Sequence, residues 1–158
     1  MNQALADRMA DLLVKIAAAG LLVVTAIIGW QVFGRYILNS SPSWTEQASL
    51  LLMIWYVFLA AAAGVWERFH IRIEILEQSW TEANRRRLRI AIHALVAMMG
   101  LALLAYGAIL AWDVRVHVIP SLGISRAWAY VVIPFAGLLI ALFSLARIRV
   151  RLAERDAG

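Results

Sequence analysis

The stretch IAIHALVAMMGLALLAYGAILAW, residues 90–112, runs for 23 residues without an Asp, Glu, Lys or Arg. As a helix rising 1.5 Å per residue, it is long enough to cross the roughly 30 Å of hydrocarbon in a bilayer. Three more stretches share the property: Ile16–Gly34 (19 residues), Gln47–Trp66 (20) and Ala127–Ala146 (20). The whole chain has 158 residues, 63% hydrophobic and 16% charged, with a mean hydropathy of +0.77. A soluble domain carries about 45–50% apolar and about 25% charged residues. The pattern predicts an all-α integral membrane protein, a single membrane domain over 1–158. Its four transmembrane helices fall at about 12–34, about 44–67, about 88–112 and about 126–147. The first block exceeds the roughly 7–15 apolar residues of a cleaved leader, and Arg35 follows it with no small-residue cleavage signal. It reads as a span.

Charge sets the expected orientation. Of the fifteen Lys and Arg residues, twelve fall in the N-terminal segment, in Glu67–Arg89 and in the tail from Arg147. Arg35–Glu46 and Asp113–Arg126 hold the other three. The positive-inside rule then places both termini and the central loop in the cytoplasm. The net charge of +5 would also suit nucleic acid, but the basic residues flank apolar blocks, so no nucleic-acid partner is expected. Arg85, Arg86, Arg87 and Arg89 read as topology anchors meeting membrane lipid at the start of span three. Trp30, Trp44, Trp112 and Trp128 lie at the expected outer ends and Trp66 and Trp80 at the inner ones, an aromatic belt. Only Trp55 is mid-span.

Two identical tetrapeptides, Ser43-Trp44-Thr45-Glu46 and Ser79-Trp80-Thr81-Glu82, fit capping boxes with Ser at the N-cap. They would open span two and a long helix running into span three. In between, Phe69, Ile73, Leu76 and Trp80 form one apolar stripe at helical spacing, predicting an interfacial amphipathic segment at about 69–79. Ala60/Gly64, Gly107/Ala111 and Gly137/Ala141 are small residues four apart, where helix backbones can approach closely. Pro134 should bend span four or call for a neighbouring donor.

The same inventory excludes most chemistry. The chain has no cysteine, hence no disulfide, thiolate metal site or cysteine nucleophile. No P-loop, hydrolase triad or zinc constellation occurs. No catalytic, substrate-binding or metal residue and no cofactor is expected, so the chain does not read as an enzyme. Mid-membrane ionisable residues mark transport pathways, and the four blocks have none. A small multidrug exporter, which needs an acid in its first span, is thereby disfavoured. The alternative from another class is a haem-bearing anchor using His70 and His93, both near the inner face on different helices.

The segment Gly34–Glu74, GRYILNSSPSWTEQASLLLMIWYVFLAAAAGVWERFHIRIE, resembles the small membrane subunit (Q-type) of tripartite ATP-independent periplasmic (TRAP) transporters. The resemblance rests on Arg35-Tyr36 and Asn39, on Trp44-Thr45-Glu46, and on His70-Ile71-Arg72-Ile73-Glu74. Pro120-Ser121-Leu122-Gly123 and Pro134 also fit. Where the family often has a second acid after Trp-Thr-Glu, this chain has Gln47. The resemblance implies a non-catalytic subunit of the bacterial inner membrane, in a stable heterodimer with a large elevator-type subunit. It further implies sodium-driven organic acid uptake and a transient periplasmic solute-binding protein. The expected partner-facing residues are Arg35, Trp44, Glu46, Gly64, His70, Arg72, Glu74 and Gly137.

Overall fold

A computed structural model describes residues 3–40, 42–67 and 81–156. Four long helices dominate: α1 (Gln3–Tyr36), α2 (Ser43–Glu67), α3 (Glu82–Asp113) and, after a short α4 (Ala127–Tyr130), α5 (Val132–Asp156). Each contains a window apolar enough to cross a membrane. The fold is the all-α, four-span architecture that the uncharged blocks imply. The segment expected at about 69–79 lies outside the described residues.

α1 begins at Gln3, 13 residues before its apolar block Ile16–Gly34. Its first turns hold Asp7, Arg8, Asp11 and Lys15. Lys15 donates to Asp11 at 2.7 Å across one turn. Ala6, Ala10, Leu13 and Ala17 bury in the same cluster as Leu59, Ala62, Ala63 and Trp66 of α2. Packing against a neighbour thus extends the helix past the hydrocarbon-length window. α3 is likewise one continuous helix of 32 residues, about 48 Å long, more than a perpendicular crossing needs.

Neither helix starts at its predicted N-cap. α2 already includes Ser43, because Pro42 offers the anchoring carbonyl: Thr45 donates to it from its backbone N–H (3.3 Å) and from Oγ1 (2.8 Å). The cap of α3 is Thr81, two residues past Ser79, and its side chain makes no capping bond. The backbone N–H of Asn84 reaches the Thr81 carbonyl instead, at 3.0 Å.

The helices pack in an open row, α1 on α2, α2 on α5 and α5 on α3. The crossing of α3 and α5 is the tightest. A Cβ placed on Gly137 would lie 2.6 Å from the Leu104 nitrogen, and one on Gly100 would lie 2.7 Å from the Ala141 nitrogen. Only glycines let the two backbones approach this far. A Cβ on Gly107 would sit 2.9 Å from Pro134 Cδ, continuing the same seam.

Span four is interrupted. Val131 is a turn residue between α4 and α5, so Pro134 lies in the first turn of α5, where its missing N–H breaks no intrahelical bond. Next to the break, the Trp55 indole donates to the Trp128 carbonyl at 2.9 Å. The connection from α3 contains a two-stranded hairpin pairing Val118 with Ser125 and Ile119 with Ile124. Gly123 closes it with φ +67°, a backbone conformation that suits glycine.

Candidate partner-binding surface

The two ends of the row differ in chemistry. The end carrying the α1–α2 turn and the hairpin is here called the loop end; the opposite one, holding the start of α1 and the close of α5, is the terminal end. At the loop end, α1 finishes at Tyr36, and Ser40 N–H donates back to the Gly34 carbonyl at 3.0 Å. A Cβ on Gly34 would meet the Ser40 carbonyl at 2.8 Å, so the turn needs glycine there. Asn39 takes φ 51°, a left-handed position that Asn tolerates better than most residues.

This turn presents Arg35 in the last turn of α1, with Trp44 and Glu46 in the first turn of α2. All three are exposed. Among the described residues neither Arg35 nor Glu46 makes an ion pair, so the turn offers one cation and one anion to its surroundings. Thr45, between Trp44 and Glu46, is fully buried and fixes the start of α2. The arrangement suits polar recognition, and among the described residues no group of His, Asp and Glu could hold a metal ion.

The remaining expected residues are dispersed. Gly64 is half-buried on α2, near exposed Ala60 and Ala61. Gly137 faces α3 within the chain, against Gly100 and Leu104. His93 is half-buried on α3. His70, Arg72 and Glu74 lie outside the described residues, as therefore does one half of the bis-histidine alternative. Arg87 is exposed and Arg89 half-buried in the first turns of α3, which also carry Arg85 and Arg86.

At the terminal end the structure reveals a cluster that reading along the chain missed. The Trp66 indole donates to Asp7 Oδ1 at 2.6 Å, tying α2 to the start of α1. The Arg147 guanidinium lies 4.0 Å from the Trp66 ring centroid and donates through Nη2 to the Trp66 carbonyl. That carbonyl is one of the last of α2, which have no intrahelical donor, so Arg147 of α5 acts as a C-terminal cap in trans. Phe143 completes the contact, its ring centroid 5.6 Å from that of Trp66. Asp7, Ala10, Trp66, Glu67 and Arg147 line a cleft of about 390 Å³. Arg115 repeats the device at the far end of α3, 3.7 Å from the Trp112 ring centroid and bonded to the Trp112 carbonyl at 2.6 Å. The available signal was a Trp and an Arg of different spans at equal expected depth.

Comparison with known proteins supplies what geometry alone does not. The chain is similar to the sialic acid TRAP transporter small permease protein SiaQ of Vibrio cholerae serotype O1. The two are 24% identical over 123 residues, covering 78% of this chain and 71% of that protein. Residues 24–154 match the family model described as tripartite ATP-independent periplasmic transporters, DctQ component. That match takes in the α1–α2 turn, the glycine seam and the Trp66–Arg147 contact. The chain therefore belongs to the DctQ-component family of TRAP transporters, as a non-catalytic, multi-pass subunit of the bacterial inner membrane.

Proposed function

We propose that this small permease subunit is a fixed frame for a large elevator-type membrane subunit, in a transporter that uses sodium to take up an organic acid. The observation that carries the reading is the open row. α1 packs chiefly on α2, and α3 chiefly on α5, leaving most of both peripheral helices uncovered. Leu22 on α1 is 72% exposed and Tyr106 on α3 is 74% exposed. A row of four helices with bare flanks widens a neighbour in the membrane plane and resists tilting as cargo moves. The four uncharged blocks agree, since a frame needs no polar pathway of its own.

The loop end, with Arg35, Trp44 and Glu46, is the side we assign to the periplasm and to a part in docking the solute-binding protein. The 12-to-3 division of Lys and Arg supports it. The test of function is reconstitution in liposomes, with solute uptake driven by a sodium gradient. Uptake should require both membrane subunits and the binding protein. Full uptake by the large subunit alone would overturn the frame. Orientation is tested with single cysteines at Ser40, Asn84 and Ser121, probed in intact cells by an impermeant thiol reagent. Ser40→Cys and Ser121→Cys should label and Asn84→Cys should not; the reverse pattern would invert the topology.

A further inference from the structure

The outward side of α3 carries a polar group that hydrocarbon cannot serve. Gly100 and Gly107 face α5; a Cβ on either would come within 2.8 Å of that helix. Met99 and Tyr106 each precede one of these glycines, so they stand about 100° around the helix from the seam. Ala102 and Ile109 follow them by three residues, which puts all four on one helical stripe at i, i+3, i+7 and i+10. All four are exposed, Met99 at 59%, Ile109 at 56% and Tyr106 at 74%. Since α3 packs chiefly on α5, the chain leaves this stripe bare.

Depth decides what Tyr106 can reach. The uncharged block 90–112 centres on Leu101. Tyr106 lies five residues beyond it, roughly 7–8 Å from the midplane toward the loop end at 1.5 Å per residue. About 15 Å of hydrocarbon lies on each side of the midplane, so a similar distance still separates its Cα from the nearer headgroups. Cα–Cβ bonds lean toward a helix's N-terminus, and α3 starts at the terminal end. The Tyr106 side chain thus leaves its backbone inclined toward the midplane, away from the headgroups its hydroxyl would need.

Other polar side chains within the spans find acceptors in the chain. Thr25 Oγ1 donates to the Leu21 carbonyl at 2.8 Å, and the Trp55 indole to the Trp128 carbonyl at 2.9 Å. A threonine can turn onto its own i−4 carbonyl, whereas a tyrosine ring carries its hydroxyl away from its own backbone. Among the described residues the Tyr106 hydroxyl has no acceptor.

We propose that Met99, Ala102, Tyr106 and Ile109 of α3 form a contact face for a transmembrane helix of the large subunit, which accepts a hydrogen bond from the Tyr106 hydroxyl. Lipid tails offer no acceptor, while a neighbouring helix supplies carbonyl or side-chain oxygens at this depth. Ala102, one turn before Tyr106, leaves room for that helix to come close. Membership of the TRAP family gives the chain the large subunit as its membrane neighbour. The inference rests on that assembly and adds a contact at the α3 edge of the row, apart from the α1–α2 turn.

The test uses the assembled transporter. Tyr106→benzoylphenylalanine, irradiated in native membranes, should give a crosslinked species with the summed mass of the small and large subunits. Tyr106→Phe removes only the hydroxyl. It should weaken association with the large subunit about threefold or more, while the melting temperature of the small subunit alone stays unchanged. Crosslinks confined to lipid or to a second copy of this chain, in a complex that still co-purifies, would overturn the contact face and leave the frame reading standing. Unaltered association of Tyr106→Phe would overturn the hydrogen bond and with it the proposal. If the unsubstituted chain fails to co-purify with the large subunit, the frame reading falls first and this contact with it.

Discussion

Trp66 serves three neighbours at once: Asp7 through its indole N–H, Arg147 through its ring face and carbonyl, and Phe143 through ring contact. Trp66→Phe keeps a ring for Arg147 and Phe143 but leaves Asp7 without that donor. Its expected cost is about 1 kcal/mol, the scale of one hydrogen bond, read as a lower melting temperature in detergent. Trp66→Ala removes the ring as well and should cost about 3 kcal/mol or more. Asp7→Asn, which retains an acceptor, should fall below either. The sequence placed Trp66 only as a belt residue, since its partners stand 59 and 81 positions away and no local pattern ties them to it. The small residues were more legible. The pair Gly137/Ala141 does mark a close contact, but spacing cannot say with which helix, and the partner is α3 of the same chain. Gly137→Leu should therefore act on the subunit itself, overpacking the seam by about 1–3 kcal/mol and lowering its melting temperature without the large subunit present.

Among the elements, the break in span four shows how local rules and tertiary contacts divide the work. A proline in a long apolar block reads as a kink, and the structure resolves it as a helix start with Pro134 in the first turn. Pro134 also packs against the space that Gly107 leaves open on α3. The Trp55 indole then serves the carbonyl of Trp128 beside the interruption. Trp55→Phe should leave that carbonyl without the indole donor, at a cost of about 0.6–1.7 kcal/mol. Faster backbone hydrogen exchange across Ala127–Val132, with α1 unaffected, is the expected signature. Exchange unchanged there would show that the indole bond holds nothing in place. The existence of four spans was legible because uncharged length alone sets it. The helix starts were not, since Pro42 and Thr81 took roles that Ser43 and Ser79 matched equally well by pattern.

For the whole molecule, the open row has an energetic consequence. In hydrocarbon, apolar burial does not draw helices together, so association depends on close backbone packing and a few polar bonds. The chain spends its tightest glycine seam inside, between α3 and α5, and its polar bonds on Trp55, Trp66 and Arg147. What remains outward is broad but sparse: Gly64 with Ala60 and Ala61 on α2, and, at the turn, Arg35 and Glu46, which make no ion pair among the described residues. Two substitutions then separate assembly from folding. Gly64→Leu should lower co-purification of the large subunit while the small subunit's own melting temperature changes little. Gly137→Leu should lower both, through the α3–α5 seam. Arg35→Ala with Glu46→Ala should reduce co-purification less than Gly64→Leu, because exposed ion pairs contribute under about 1 kcal/mol. The measurement is pull-down yield in detergent beside a melting curve for each variant. If Gly64→Leu leaves the yield unchanged while the charge variant abolishes it, the α1–α2 turn carries the interface and the α2 face does not.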